Sequence, residues 1–311
     1  MLSRIAEALF WIGRYVERSE CTARILDTYL QLLVEDPVID QEATCRSVMA
    51  AMGIQYGEQG PTPDPPMLLQ TLLLDRTAPQ SIAYSIENAR ENARRSREVV
   101  STEVWEGLNS TYNAVLAGQL RQRRPADAFR FVRERTSMIS ALADSTQSHD
   151  DGWQFIVLGR SIERIDMTAR LITMGSYVSG PNGAWALTLR ACGASHAFTR
   201  VYRATESPRA AAEFLLLDRL FPRSISHLLE QAGHCLEELD PRSRRVGFGG
   251  DAARIIGQAH ARLSYLPLTD VVTDLPSEME ELQQVCAGAT QAIAGRYFEG
   301  VVAPEWMTEA L

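Results

Sequence analysis

The stretch WIGRYVERSECTARILD, Trp11–Asp27, returns half a chain later as VLGRSIERIDMTARLIT, Val157–Thr173. Both copies keep Gly-Arg-x-x-Glu-Arg-x-x-x-Thr-Ala-Arg at one spacing. Around the first copy, Ile5, Ala8, Ile12, Tyr15, Ala23, Leu26, Leu30 and Leu33 recur at steps of three and four, the period of a helix with one apolar stripe. Pro37 ends that helix, because its ring clashes with the preceding turn. The second copy predicts a helix over Gln154–Val178, closed by SGPNG at residues 179–183.

Outward from these two helices the same period persists. A short helix is expected over Glu42–Met52, then a Gly- and Pro-rich connection over Gly53–Pro66. The run APQSIAYSIENARENARRSREVVSTEVWEGLN reads as one or two helices with Ser81 as an N-cap, and Ala126–Ser148 as another. Further helical segments follow on either side of the loop PRSRRVGFGGD. No period-two strand pattern appears, so the expected fold is all-α: one large helical-bundle domain over residues 1–311. The repeated motif helix divides it into pseudo-halves of about 1–150 and 151–311.

Composition narrows the chemistry. Every basic side chain apart from five histidines is arginine; with no lysine, a Schiff-base nucleophile and a Walker-type phosphate loop are both excluded. A net charge of −8 argues against nonspecific binding to nucleic acid or an anionic membrane. Arg4 and Glu7 interrupt the N-terminal apolar run, and no window reaches the about 20 apolar residues of a membrane span. Cys21, Cys45, Cys192, Cys235 and Cys286 are odd in number and form no Cys-x-x-Cys, which fits a reducing compartment, the cytoplasm.

On a helical wheel Arg14, Glu17, Arg18 and Arg24 gather on one side around Cys21. The second copy repeats the arrangement with Arg160, Glu163, Arg164 and Arg170 around Met167. Two roles suit such clusters. They close on each other as an ion-pair lattice between helices, or their guanidinium forks converge on an external carboxylate or phosphate. Gly13 and Gly159, inside helices, point to close helix–helix approach. Arg90, Glu91 and Arg94 form a further charged run, expected to face solvent or a partner. Asp218 near Arg223, flanking Pro222, is placed to close a corner between two helices. His227, Glu230 and His234 align on one helical face and are the weak candidates for metal ligands; the expectation is a polar face with no metal and no cofactor.

Four stretches together resemble the bacterial alpha-E domain family: LSRIAEALFWIGRYVERSECTARILD, SIENARENARRSREVVSTEVWEGLN, FIVLGRSIERIDMTARLI and FLLLDRLFPRSISHLL, in the family's order from Leu2 to about Leu229. Beyond them AIAGRYF is the most similar piece. The resemblance implies an all-helical domain encoded beside, or fused to, ATP-grasp-type amide ligases, often near transglutaminase-like proteins. Its leading implication is an accessory, scaffold or substrate-binding role with a separate ligase that makes or modifies a peptide or amide-linked product. Such a domain would bind the ligase, a peptide or an acidic small molecule. Two other readings stay open: an enzyme in its own right, with Glu17 or Glu163 as acid/base and Arg14 and Arg160 clamping an anionic substrate, and a purely structural helical oligomer.

Overall fold

A computed structural model describes residues 1–54, 60–177, 184–203, 207–240, 250–265 and 274–298. Every described element is helical. They are α1 (Ser3–Glu35), α2 (Gln41–Ala51), α3 (Pro65–Leu68) with a π-helical turn at Leu69–Leu74, α4 (Ile82–Arg95), α5 (Thr102–Leu116), α6 (Gln119–Gln122) and α7 (Pro125–Thr146). Then come α8 (Asp151–Tyr177), α9 (Ala184–Ala191), α10 (Ser195–Tyr202), α11 (Pro208–Leu217), α12 (Ile225–Leu239), α13 (Asp251–Tyr265) and α14 (Leu275–Ile293), the last continuing into a π-helical turn at Ala294–Phe298. The loop expected over residues 179–183 lies outside the described residues, as do 241–249 of the loop PRSRRVGFGGD and 55–59 of the first connection; Asp251, the last residue of that second loop, already opens α13.

Two four-helix rings result. In the first, α4 and α7 pack on α1, and α5 closes the ring against α4 and α7. In the second, α12 and α14 pack on α8, and α13 closes the ring against α12 and α14. The rings join through α1 and α8, the most extensive helix pair among the described residues. These two helices are therefore central rather than amphipathic. Phe10, Val16, Glu17, Ser19, Glu20, Thr22 and Ile25 are all buried, on every side of α1. The apolar stripe seen in the sequence is only one of its packed faces.

Two glycines set the joint. A Cβ on Gly13 would lie 2.0 Å from the Ile156 carbonyl oxygen, and one on Gly159 would lie 2.1 Å from that of Phe10. Backbone rests on backbone here, in a geometry that no other residue permits. Beyond this crossing Arg18 of α1 reaches Glu163 of α8 and Arg164 of α8 reaches Glu17 of α1, so the two helices run in the same direction and the motif residues beside the glycines lie near their own repeats.

A second repeat accompanies the first. Leu72-Leu73-Leu74-Asp75-Arg76-x-x-Pro79-x-Ser81-Ile82 returns as Leu215-Leu216-Leu217-Asp218-Arg219-x-x-Pro222-x-Ser224-Ile225. Each copy forms the same corner into α4 or α12. The Ser81 hydroxyl donates to the Asp75 carbonyl and caps the Tyr84 N–H at 3.0 Å. Ser224 donates to the Asp218 carbonyl and caps the His227 N–H at 3.3 Å. The long run after Ala78 is two helices, broken between Ser96 and Ser101, where the Ser101 hydroxyl caps the Val104 N–H.

Candidate functional site

The two motif glutamates exchange partners across the joint. Glu163, on α8, accepts from Arg18 of α1 through Nε at 2.6 Å and Nη2 at 3.0 Å. Glu17, on α1, accepts from Arg164 of α8 through Nε at 2.7 Å and Nη2 at 2.5 Å. Each arginine then anchors the proline corner of its own ring: Arg18 donates to the Pro79 carbonyl at 3.3 Å, Arg164 to that of Pro222 at 3.1 Å. Both glutamates are 1% exposed. Bidentate guanidinium–carboxylate geometry of this kind fixes orientation as well as charge.

Burial alone would raise both carboxyls, yet the arginines outweigh it. Arg14 and Arg18 hold Glu163 at about 2, and Arg164 with Arg223 holds Glu17 well below the ordinary carboxylate range. Neither group exchanges a proton near neutral pH.

Symmetry breaks at the remaining arginines. Arg14 also donates to Glu163 through Nε, and to the Thr290 hydroxyl at 2.9 Å. Its repeat, Arg160, turns away to Asp144, with contacts of 3.2 and 3.3 Å. The third partner of Glu17 comes instead from the second corner. Arg223 donates through Nη1 to Glu17 at 3.0 Å and through Nη2 to Glu20 at 2.5 Å, while Nη1 also lies 3.6 Å from the Cys21 sulfur. The expected Asp218–Arg223 pair does not form. The Asp218 carboxylate accepts the nearby backbone N–H groups of Leu220 and Phe221 at 2.9 and 2.7 Å, which leaves Arg223 free to reach the buried α1 carboxylates.

The outer rung of each cluster is an i,i+4 pair. Arg24 donates to Glu20 at 3.0 and 2.9 Å. Arg170 donates to Asp166 at 3.0 Å and to the Ala51 carbonyl at 3.0 Å. Glu20 and Asp166 occupy the same repeat position and were not singled out in the sequence, nor was Gln80, which sits where the second corner has Arg223. Aligning the two motif helices finds the first two, and aligning the two proline corners finds Gln80.

Elsewhere the candidates stay apart from this centre. Arg94 pairs with Glu91 at 2.7 Å within α4, whereas Arg90 bonds the Asn109 side chain at 3.2 Å and lies over the rings of Trp105 and Tyr112 at 5.3 and 5.2 Å. The imidazole Nδ1 of His227 lies 3.0 Å from the Arg219 carbonyl oxygen, and Glu230 and His234 are exposed. Among the described residues no three His, Cys, Asp or Glu side chains gather as metal ligands. All five cysteines are free and buried. Burial pushes the Cys45 thiol up to about 11 and those of Cys192 and Cys235 up to about 12, far from an activated nucleophile.

The exchange is built on two Glu-Arg dipeptides, Glu17-Arg18 and Glu163-Arg164. Residues 1–298 match Alpha-E, described as a predicted alpha-helical domain with a conserved ER motif. The chain belongs to the Alpha-E family. As an Alpha-E domain it is 27% identical to an uncharacterized protein of Mycobacterium bovis and 26% identical to one of Mycobacterium tuberculosis, with 96% of this chain covered in each case. The chain spans about a third, 35%, of the length of these curated relatives. No solved structure matches it. Among the described residues of this Alpha-E domain, no helix is long and apolar enough to cross a membrane.

Proposed function

We propose that this Alpha-E chain is a non-catalytic partner domain. It acts in the cytoplasm with a separate ATP-grasp-type ligase, as an accessory or substrate-binding component in the synthesis or modification of a peptide or amide-linked product. The observation that carries this reading is the state of Glu17 and Glu163, each 1% exposed and enclosed by guanidinium groups. General acid/base catalysis needs a group that trades protons near the working pH, and these two do not. The absence of lysine in these 311 residues supports the same reading, since the nucleotide-binding lysines of a ligase must come from sequence outside this domain. Relatives nearly three times as long support a domain that works joined to, or beside, further sequence.

Its test is reconstitution. The purified chain is mixed with the purified ATP-grasp-type ligase encoded nearest to its gene. The expected result is co-elution on size exclusion and amide formation by the ligase that depends on the chain. Turnover of the ligase's substrate by the chain alone would return the enzyme reading to first place. No co-elution and no change in ligase turnover would remove the partnership.

A further inference from the structure

The internal repeat maps the cluster around Glu17 onto the cluster around Glu163, and besides the exchange of Arg14 for Arg160 the two differ at the proline corner. In the first, Arg223 lies across Glu17 and Glu20. In the second, the same corner position is Gln80. There the structure has a pocket of about 220 Å³, lined among others by Arg18, Gln80, Glu163, Asp166, Met167 and Arg170. A single water needs only about 10–15 Å³, so this space suits a side-chain-sized group.

The partners of each carboxylate show what is unfilled. Glu163 has its full complement, because Arg14 supplies at Glu163 what Arg223 supplies at Glu17. Glu20 accepts from Arg24 through Nε and Nη2, and from Arg223 through Nη2. Asp166, its repeat, accepts from Arg170 Nε. Asp166 is also one methylene shorter than Glu20, which widens the space in front of it. The neighbouring arginines are already engaged: Arg18 on Glu163 and the Pro79 carbonyl, Arg170 on Asp166 and the Ala51 carbonyl. An incoming cation therefore meets the less satisfied group, whereas an incoming anion would compete with carboxylates already in place.

From this we infer that the pocket beside Asp166 is a binding site for a guanidinium group on a flexible stem, an arginine side chain or its free small-molecule equivalent, seated as Arg223 is seated in the sealed copy. The ligand's guanidinium donates to the Asp166 carboxylate, its stem lies along Met167, and the Gln80 side chain flanks it at the mouth. The molecule thus carries one filled and one open version of the same cradle. The inference is independent of the ligase partnership, and its test uses the chain alone, so each can fail without the other.

Agmatine, free arginine and an end-blocked Gly-Arg-Gly tripeptide are titrated into the purified chain by calorimetry, with glutamate and phosphate as anionic comparators. Agmatine is expected to bind at one site per chain. Gln80→Arg places an internal guanidinium in the open cradle; it is expected to raise the thermal midpoint and abolish agmatine binding. Asp166→Asn, its fold checked by circular dichroism, is expected to weaken binding by about tenfold or more, the scale of one hydrogen bond to a charged group. Tighter binding of the tripeptide than of agmatine identifies a peptide or protein source, and the reverse a free metabolite. No saturable binding of any guanidinium probe up to about 10 mM overturns the assignment, as does agmatine binding that survives Gln80→Arg. Binding of glutamate or phosphate, lost in Gln80→Arg while agmatine shows none, replaces it with an anion site.

Discussion

Neutralising Glu163 isolates the contribution of the exchanged pairs. In Glu163→Gln the shape is kept, but Arg14 and Arg18, with side chains 11% and 18% exposed, lose their shared anion. The native carboxyl is lowered from 4.5 to about 2. At about 1.36 kcal/mol for each pH unit between those values, linkage assigns the ionised group about 3 kcal/mol of stability. Removal of one partner from a buried ion pair costs about 3–5 kcal/mol, which agrees. Because the folded value lies below the unfolded one, this contribution is fully present above about pH 4.5 and disappears as the pH falls toward 2. Urea denaturation of both proteins, repeated from pH 7 down to pH 2.5, is the assay. At pH 7 the variant is expected to be less stable by about 3 kcal/mol. The gap is expected to narrow below pH 4.5, as the wild type protonates the same carboxyl. A gap under about 1 kcal/mol at pH 7, the range of solvent-exposed pairs, or one that does not change with pH, would refute the assignment of Glu163 as a buried anion.

The broken symmetry and the glycine crossing yield further outcomes. Arg14→Met, which keeps the stem but removes a partner of buried Glu163, is expected to cost about 3–5 kcal/mol. Arg160→Met removes only a pair with half-exposed Asp144 and is expected to cost about 1 kcal/mol or less; comparable losses in urea melts would contradict the asymmetry. Gly159→Ala must part α1 and α8 by about 1 Å and is expected to destabilise by about 1–3 kcal/mol. Gly257→Ala on α13, whose added Cβ meets nothing within 4 Å, is expected instead to stabilise by up to about 1 kcal/mol through helix propensity.

The helical architecture was legible because its signals are local. The three-and-four periodicity and Pro37 placed α1, and the Gly-Arg-x-x-Glu-Arg repeat placed α8 as its counterpart. What the wheel could not convey was who meets whom. On one helix Arg14, Arg18 and Arg24 are the neighbours that Glu17 has in sequence, yet its partners are Arg164 and Arg223. The cause is a tertiary one: only the crossing at Gly13 and Gly159 brings the faces of two parallel helices within reach. Arg223 was read with Asp218 for the same reason, nearness along the chain, although backbone N–H groups beside Asp218 compete more closely. The second repeat, Leu72–Ile82 against Leu215–Ile225, was fully present in the letters. Its function appears only once both corners are seen to clamp the same helix pair, since a conserved spacing does not reveal that Gln80 and Arg223 stand over equivalent carboxylates.

The reciprocal exchange of glutamates has the form of an isologous contact, in which residue i of one unit meets j of the other and j meets i. Here the two units are halves of one chain, joined by the short link Gln147–Asp150 between α7 and α8, where a pair of identical half-length chains would have no link. In such a pair any change would appear twice, so a sealed cradle and an open one could not coexist. Joined end to end, the copies are released from that constraint. Arg223 can close one side permanently and hold the scaffold, while Gln80 leaves the other side open. The tandem chain thereby separates, between two places equivalent in the repeat, the task of holding itself together from the task of receiving something else.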